Sequence, residues 1–200
     1  MVNKSRLQEQ INYLVEIDKL KNIWRQNVII TDVRQENDAE HSWHMAVMVM
    51  ILSEYYTNDK LDILKALKMV LVHDIVEVYA GDTFCFDRDP KVQITMEANE
   101  RVAAERIFGL LPSSQSNELY GLWREFEEGI TSEAIFASCI DRFQPFLLNY
   151  NTDGHTWKKP GVTSAKVRSR MAILKDNMPL LWEYVENSIE DSIERGYLQK

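Results

Sequence analysis

Apolar residues recur at three- and four-residue steps along nearly the whole chain, beginning with Leu7, Ile11, Leu14 and Ile17, while long period-two alternations bounded by turn residues are missing. The pattern predicts an all-α protein. A first helix is expected from about Ser5 to Gln26, followed by an ordered connection over Val28 to Asp38, where β-branched residues replace the helical period. Asp38 has the side chain of an N-cap for a helix through His41, Met45, Met48, Leu52 and Tyr55. Asn58 or Asp59 would cap the next, which carries Leu61, Leu64, Leu67, Val70 and Leu71 toward His73 before Gly81-Asp82 breaks the pattern.

Proline marks several further starts, because its missing N–H costs nothing in a first helical turn. Pro90 opens a helix through Val92, Met96 and Ala103 to Leu110, and Pro112 opens another through Leu119 and Trp123 toward Gly129. Thr131 or Ser132 starts a helix through Ile135, Cys139, Asp141 and Phe146; Pro145 inside it conflicts with the Asp141 carbonyl, which predicts a kink. Asn151-Thr-Asp-Gly ends that element, Thr163 or Ser164 begins a helix to about Asn177, and Pro179 precedes a last one to about Arg195. No internal repeat, sustained heptad or Gly/Ser linker divides the chain. Residues 1–200 therefore read as one helical unit, with a core over about 14–150 and helices over 160–195 packed on it.

Composition narrows the class. The 200 residues are 45% hydrophobic and 27% charged, with 12 Gly plus Pro, as in a folded, water-soluble chain. Lys and Arg number 23 against 31 Asp and Glu, a net charge of −8, and no basic block exists to neutralise a nucleic-acid polymer. The longest uncharged apolar stretch, His41 to Ser53, holds two histidines and falls well short of the roughly 20 residues of a membrane span. Cys85 and Cys139 are too few for a disulfide framework and read as free thiols of a reducing compartment. The N-terminus leads straight into the amphipathic pattern without an apolar signal core, so a cytoplasmic location is expected.

Ionisable residues interrupt the apolar helices at Glu40-His41 with His44, at His73-Asp74-Ile-Val-Glu77 followed by Gly81-Asp82, and at Asp141-Arg142. An unpaired carboxylate in such a setting costs several kcal/mol or neutralises, so a compensating partner is required. A divalent cation is one such partner; imidazole with carboxylate suits manganese, iron, cobalt, nickel or zinc. At about 100° per helical residue, Glu77 projects roughly between His73 and Asp74, one turn further on. Neighbouring ligands on one helix reach a common ion only if other helices close the shell, and His41 and Asp141 are the natural completing pair. Two His and two Asp leave positions open for water and substrate, as catalytic sites do. The competing reading is a helix-end His73 paired with an acidic neighbour. His44 could join the ligands or pack as an ordinary histidine, His155 lies in a loop, and Met45, Met48 and Met50 read as core filler.

The spacing His41, His73-Asp74 and Asp141 resembles the HD-domain superfamily of metal-dependent phosphohydrolases. Arg34-Gln-Glu-Asn-Asp-Ala-Glu40-His41-Ser-Trp, His73-Asp74-Ile-Val-Glu77-Val-Tyr-Ala-Gly81-Asp82 and Asp141 resemble its bacterial 5'-deoxynucleotidase and oxetanocin-like branch, and Leu20-Lys-Asn-Ile-Trp24-Arg25 resembles that branch's first helix. The likeness runs from about residue 14 to 150. It implies a helical phosphohydrolase in which His41, His73, Asp74 and Asp141 hold one divalent ion, with magnesium added to the metals above. Glu77 would handle the attacking water or the leaving oxygen, Asp82 would meet the sugar or support the site, and Arg25, with Arg34 and Trp24, would bind substrate. The implied reaction removes phosphate from (deoxy)nucleoside 5'-monophosphates. Triphosphate or other phosphate-ester hydrolysis, and a non-catalytic nucleotide-sensing module, are the alternatives. In that branch a tryptophan follows the first-helix arginine, whereas Trp24 here precedes Arg25, and Thr83-Phe84-Cys85 replaces a proline-containing turn. The partner implied is a small nucleotide, and the helices beyond Asp141 could serve a homodimer, cover the pocket or complete the core.

Overall fold

The computed structural model describes residues 4–32, 34–82 and 90–200, the side chains of 90–94 excepted. Cys85 and the rest of the Thr83-Phe84-Cys85 stretch lie outside them. Among the described residues the chain is helical, with one short two-stranded ribbon: α1 Lys4–Ile17, a 3₁₀ turn Asp18–Asn22, β1 Trp24–Val28, β2 Gln35–Asn37, α2 Asp38–Leu52, a 3₁₀ turn Ser53–Tyr55, α3 Ile63–Val72, a 3₁₀ turn His73–Val76, α4 Glu77–Ala80, α5 Pro90–Phe108, α6 Ser113–Glu128, α7 Ser132–Asn151, α8 Ser164–Met171, α9 Ile173–Asn177 and α10 Pro179–Glu194.

The ribbon corrects the expected first helix, which stops at Ile17 rather than reaching Gln26. Trp24 pairs with Asn37 and Val28 with Gln35, antiparallel and with an irregular register between. This pairing satisfies backbone groups that a helix would have satisfied locally, and it places Arg25 on a strand facing the end of α3. Asn37, not Asp38, caps α2: its Oδ1 accepts the Glu40 N–H at 3.0 Å while the Glu40 carboxylate accepts the Asn37 N–H at 3.1 Å. That reciprocal box satisfies two orphan donors and frees the Asp38 side chain for the interior. Likewise Asp62, rather than Asn58 or Asp59, caps α3 through the Lys65 N–H at 3.0 Å.

Several local signals were sufficient. Thr131 and Thr163 cap α7 and α8, Pro112 precedes α6, Pro179 opens α10, and α6 ends at Gly129 with φ +61°. The helix expected over 163–177 is divided at Ala172 into α8 and α9. α7 continues through Pro145; lacking an N–H, that proline leaves the Asp141 carbonyl without its helical donor.

Two apolar clusters meet at the end of α3. Met45, Met69, Val70, Phe136 and Ile140 pack with Met171, Leu174, Val185 and Ile189, so α8 to α10 complete the core built by α2, α3 and α7. Tyr13, Leu20, Val72, Ile75, Ile107, Phe108 and Trp123 form the second. Because Val70 belongs to one cluster and Val72 to the other, the His73–Val76 turn is fixed at their junction. Met50, unlike Met45 and Met48, is 59% exposed and fills no core. Cys139 is buried and free. None of the described helices is long and apolar enough to cross a membrane.

The C-terminal tail is tied back by the Ser164 N–H donating to the Gln199 carbonyl at 2.7 Å. Gly154 has φ +70°, and a Cβ there would lie 2.5 Å from the Tyr197 carbonyl oxygen. Gly154→Ala is expected to destabilise by about 2 kcal/mol through backbone strain and collision, seen in thermal unfolding as a drop of about 4–8 °C. An unchanged midpoint would show that the tail is not fixed at this contact.

Candidate metal centre and cavity

The ribbon, α2, the 3₁₀ turn and α7 bring their polar side chains to one point. His41 of α2 is fully buried, and its Nε2 lies 3.3 Å from Asp141 Oδ1 and 3.7 Å from Asp74 Oδ2. His73 Nδ1 lies 3.0 Å from the Val70 carbonyl, which can only accept, so Nδ1 carries the proton. His73 Nε2 then faces Asp74 Oδ1 at 3.0 Å and Asp141 Oδ1 at 3.8 Å. Ligand atoms of His41, His73 and Asp74 all fall within 4.8 Å of one another, and the two imidazole rings are 5.6 Å apart. The structure thus brings together all four residues expected to hold an ion.

Donor chemistry tests whether an ion fits. His73 Nε2 is buried without a well-aligned hydrogen-bond partner among the described residues, yet it points at a carboxylate. A neutral imidazole in this tautomer aims a lone pair at negative oxygens, which is repulsive unless a positive charge lies between them. Burial alone would lower the His73 pKa, but the Asp74 and Asp141 carboxylates outweigh it and push it up to about 10. His41 goes the other way, because burial and then Arg25 outweigh the same carboxylates. Burial works against Asp74, but His73 and then Arg25 hold it down at about 2. Asp141, also opposed by burial, is held well below the usual carboxylate range by His41 and His73. The cluster therefore demands added positive charge, as a proton on His73 or as a cation held by two imidazoles and two carboxylates. The residues fit a divalent metal.

Arg25 secures the far side of Asp74: its Nη1 donates to Asp74 Oδ2 at 2.9 Å and to Asp38 Oδ1 at 3.1 Å. Burial opposes its charge, but the Asp74, Asp82 and Asp38 carboxylates keep it protonated. Glu77 keeps its proton well above the ordinary carboxyl range, through burial first, then the Asp74 charge and a hydrogen bond shared with Asp38. A cavity of about 400 Å³ opens onto this group, with Arg25, His73, Asp74, Glu77, Asp82 and Asp141 in its walls beside Asn27, Phe126, Arg142 and Arg170. His41 stands behind the wall.

Two expected substrate contacts are not brought to this cavity. Arg34 makes a forked pair with Glu40 at 2.9 and 3.0 Å, at the outer end of the ribbon, with its side chain 43% exposed. Trp24 occupies the position in β1 paired with Asn37, is 47% exposed, and lies outside the cavity walls. His44 accepts from Gln144 Nε2 at 3.2 Å instead of joining the ligands, and His155 is exposed.

The sequence reading assigned no role in the site to Glu36, Asp38, Gln144, Arg142 or Arg170. Gln144 carried a usable signal, since it follows Asp141 by three residues on one helix face. Arg170 carried none: it comes from α8, and its Nη2 lies 3.9 Å from Asp141 Oδ2.

Comparison with known proteins places the same residues in a wider setting. A family model described as HD domain matches residues 17–182. The 5'-deoxynucleotidase HDDC2 of Homo sapiens is 31% identical over 138 residues, which cover 68% of this chain and 65% of the relative. The 5'-deoxynucleotidase hdd1 of Schizosaccharomyces pombe is 28% identical over 118 residues, 56% of this chain and 55% of its own. The chain thus spans somewhat less than two thirds of the length of these relatives. A crystal structure described as a predicted metal-dependent phosphohydrolase from Magnetospirillum magnetotacticum superposes with TM-score 0.92 and 44% identity over the whole of both chains. A conserved hypothetical protein from Pyrococcus furiosus shares the fold at TM-score 0.62 and 20% identity, over 92% of this chain and 99% of its own.

Proposed function

Because the chain belongs to the HD domain family, we propose that it is a divalent-metal-dependent phosphohydrolase that removes phosphate from (deoxy)nucleoside 5'-monophosphates. The carrying observation is the convergence of His41, His73, Asp74 and Asp141 at the wall of a cavity that also presents Arg25, Glu77 and Asp82. His41, His73, Asp74 and Asp141 would hold the ion, which when bound would supply positive charge to the phosphoryl oxygens and acidify water at neutral pH. Phosphoryl transfer otherwise asks chiefly for alignment and charge neutralisation.

This chain's own residues divide those tasks. Arg25, anchored on Asp38 and Asp74, presents a fixed positive charge to the phosphate. Burial favours a proton on the Glu77 carboxyl. Glu77 gives that proton to the 5' oxygen as the P–O bond breaks, and recovers one from the water whose oxygen has bonded to phosphorus. Asp82, in the wall of the same cavity, is assigned to the sugar or to support of the site. The cavity volume, about 400 Å³, lies in the range of small-molecule sites. Glu97 and Glu100 also line it; their carboxylates oppose the added charge of a triphosphate and favour a monophosphate.

The test is product analysis with manganese- or cobalt-loaded protein across nucleoside mono- and triphosphates, in the ribo and deoxy series. Orthophosphate from the monophosphates is expected. Tripolyphosphate as the product, or no phosphate release after confirmed metal loading, contradicts the proposal; the latter with retained nucleotide binding describes a sensor.

A further inference from the structure

A buried polar chain lies behind His41, outside the cavity. Gln144 is fully buried, and its Oε1 lies 2.8 Å from His41 Nδ1. Its Nε2 lies 2.6 Å from Glu36 Oε1 and 3.2 Å from His44 Nδ1. These contacts fix which way the amide faces. An amide NH₂ can only donate, and Glu36 and His44 offer it two acceptors, so the amide oxygen is turned to His41. An oxygen there can only accept, so the hydrogen of His41 sits on Nδ1 and its Nε2 lone pair is directed at Asp141 and Asp74.

Helical spacing explains how one element does this. Asp141 and Gln144, three residues apart on α7, bracket the two nitrogens of one imidazole: the carboxylate meets Nε2 at 3.3 Å and the amide meets Nδ1 at 2.8 Å. Such a ring is held at its Nδ1 end before any ion arrives, while its Nε2 end meets the carboxylate favourably only with a positive charge between them. Cost is one measure of the arrangement's purpose: a buried Gln, Glu and His in contact are expensive unless every member is satisfied, and an apolar residue at 144 would fill the space more simply.

We propose that Gln144 is a positioning residue that, oriented by Glu36, holds His41 as the Nδ1–H tautomer and so presents Nε2 to the divalent ion. The inference rests on His41 being a metal ligand, and it concerns affinity and tautomer rather than turnover. Groups behind a ligating histidine are worth about 10- to 100-fold in metal affinity when removed.

The test measures manganese affinity by competition with a chelator in four proteins: unsubstituted, Gln144→Leu, Gln144→Glu, and the exchange Glu36→Gln with Gln144→Glu. Gln144→Leu should bind about 10- to 100-fold more weakly. Gln144→Glu, which sets two carboxylates against each other, should also weaken. The exchange restores a donor at 36 and an acceptor at 144, and should recover affinity above the Gln144→Glu single variant. Nitrogen NMR of the zinc-loaded, histidine-labelled protein should show His41 protonated at Nδ1. Leucine at 144 with unchanged affinity overturns the proposal. If that variant does not fold, the exchange decides, because a double variant no better than the single one also overturns it. Failure of phosphate release in the unsubstituted protein would instead overturn the proposed reaction and leave these affinities readable.

Discussion

Asp74→Ala is expected to abolish metal binding and to lower turnover on the order of 10³-fold or more, a loss of about 4 kcal/mol in transition-state stabilisation. Asp74 serves three partners at the site. One of its oxygens faces His73 Nε2 at 3.0 Å, and the other accepts from Arg25 at 2.9 Å and lies 3.7 Å from His41. Truncation removes a ligand and deprives Arg25 of its shortest ion pair, leaving it to Asp38 at 3.1 Å and Glu36 at 4.0 Å. The buried guanidinium then loses a neutralising charge, and breaking such a pair costs about 3–5 kcal/mol. The variant should therefore also melt earlier, with the loss partly offset because Asp38 and Glu77 no longer face a third carboxylate. Elemental analysis, calorimetry and a turnover assay on the same preparation read all three effects. One equivalent of metal with turnover within tenfold of the original would contradict them.

The second large effect separates binding from chemistry. Glu77→Gln preserves size and removes only the transferable proton, so metal and nucleotide should still bind while turnover falls about 10²- to 10⁴-fold, the usual worth of a general acid. The substitution should not unfold the protein, since Glu77 is already protonated by its surroundings and the amide keeps a hydrogen to share with Asp38. A steady-state assay should show the loss in kcat with KM little changed. Undiminished turnover would remove Glu77 from proton transfer and return the cavity to a binding role.

Much of the site was legible because its members are costly where they stand. His41, His73-Asp74 and Asp141 interrupt apolar helices, and a buried ionisable group needs a partner; the structure supplies it by bringing them together. Helix starts at Thr131, Thr163, Pro112 and Pro179 were legible because capping is local chemistry. The ribbon was not, because the pairing of Trp24 with Asn37 is a long-range choice that periodicity cannot reveal. For the same reason Arg25 was expected on a helix and stands on a strand. Arg34 misled because sequence does not show that Glu40 captures its guanidinium. The Asn37 cap was hidden by the better-placed acid beside it, although Glu40 three residues on is the other half of a capping box. Arg170 reaches the cavity only through the packing of α8 against α7, where the Arg142 guanidinium donates to the Arg170 carbonyl at 3.2 Å.

The central claim is that four side chains from three parts of the chain hold a single divalent ion at the cavity wall. Anomalous diffraction from a manganese-loaded crystal tests it most directly. One peak within bonding distance of His41 Nε2, His73 Nε2 and the carboxylates of Asp74 and Asp141 is the expected result. A fully loaded crystal with no peak there, or with a peak held by other residues, would contradict it.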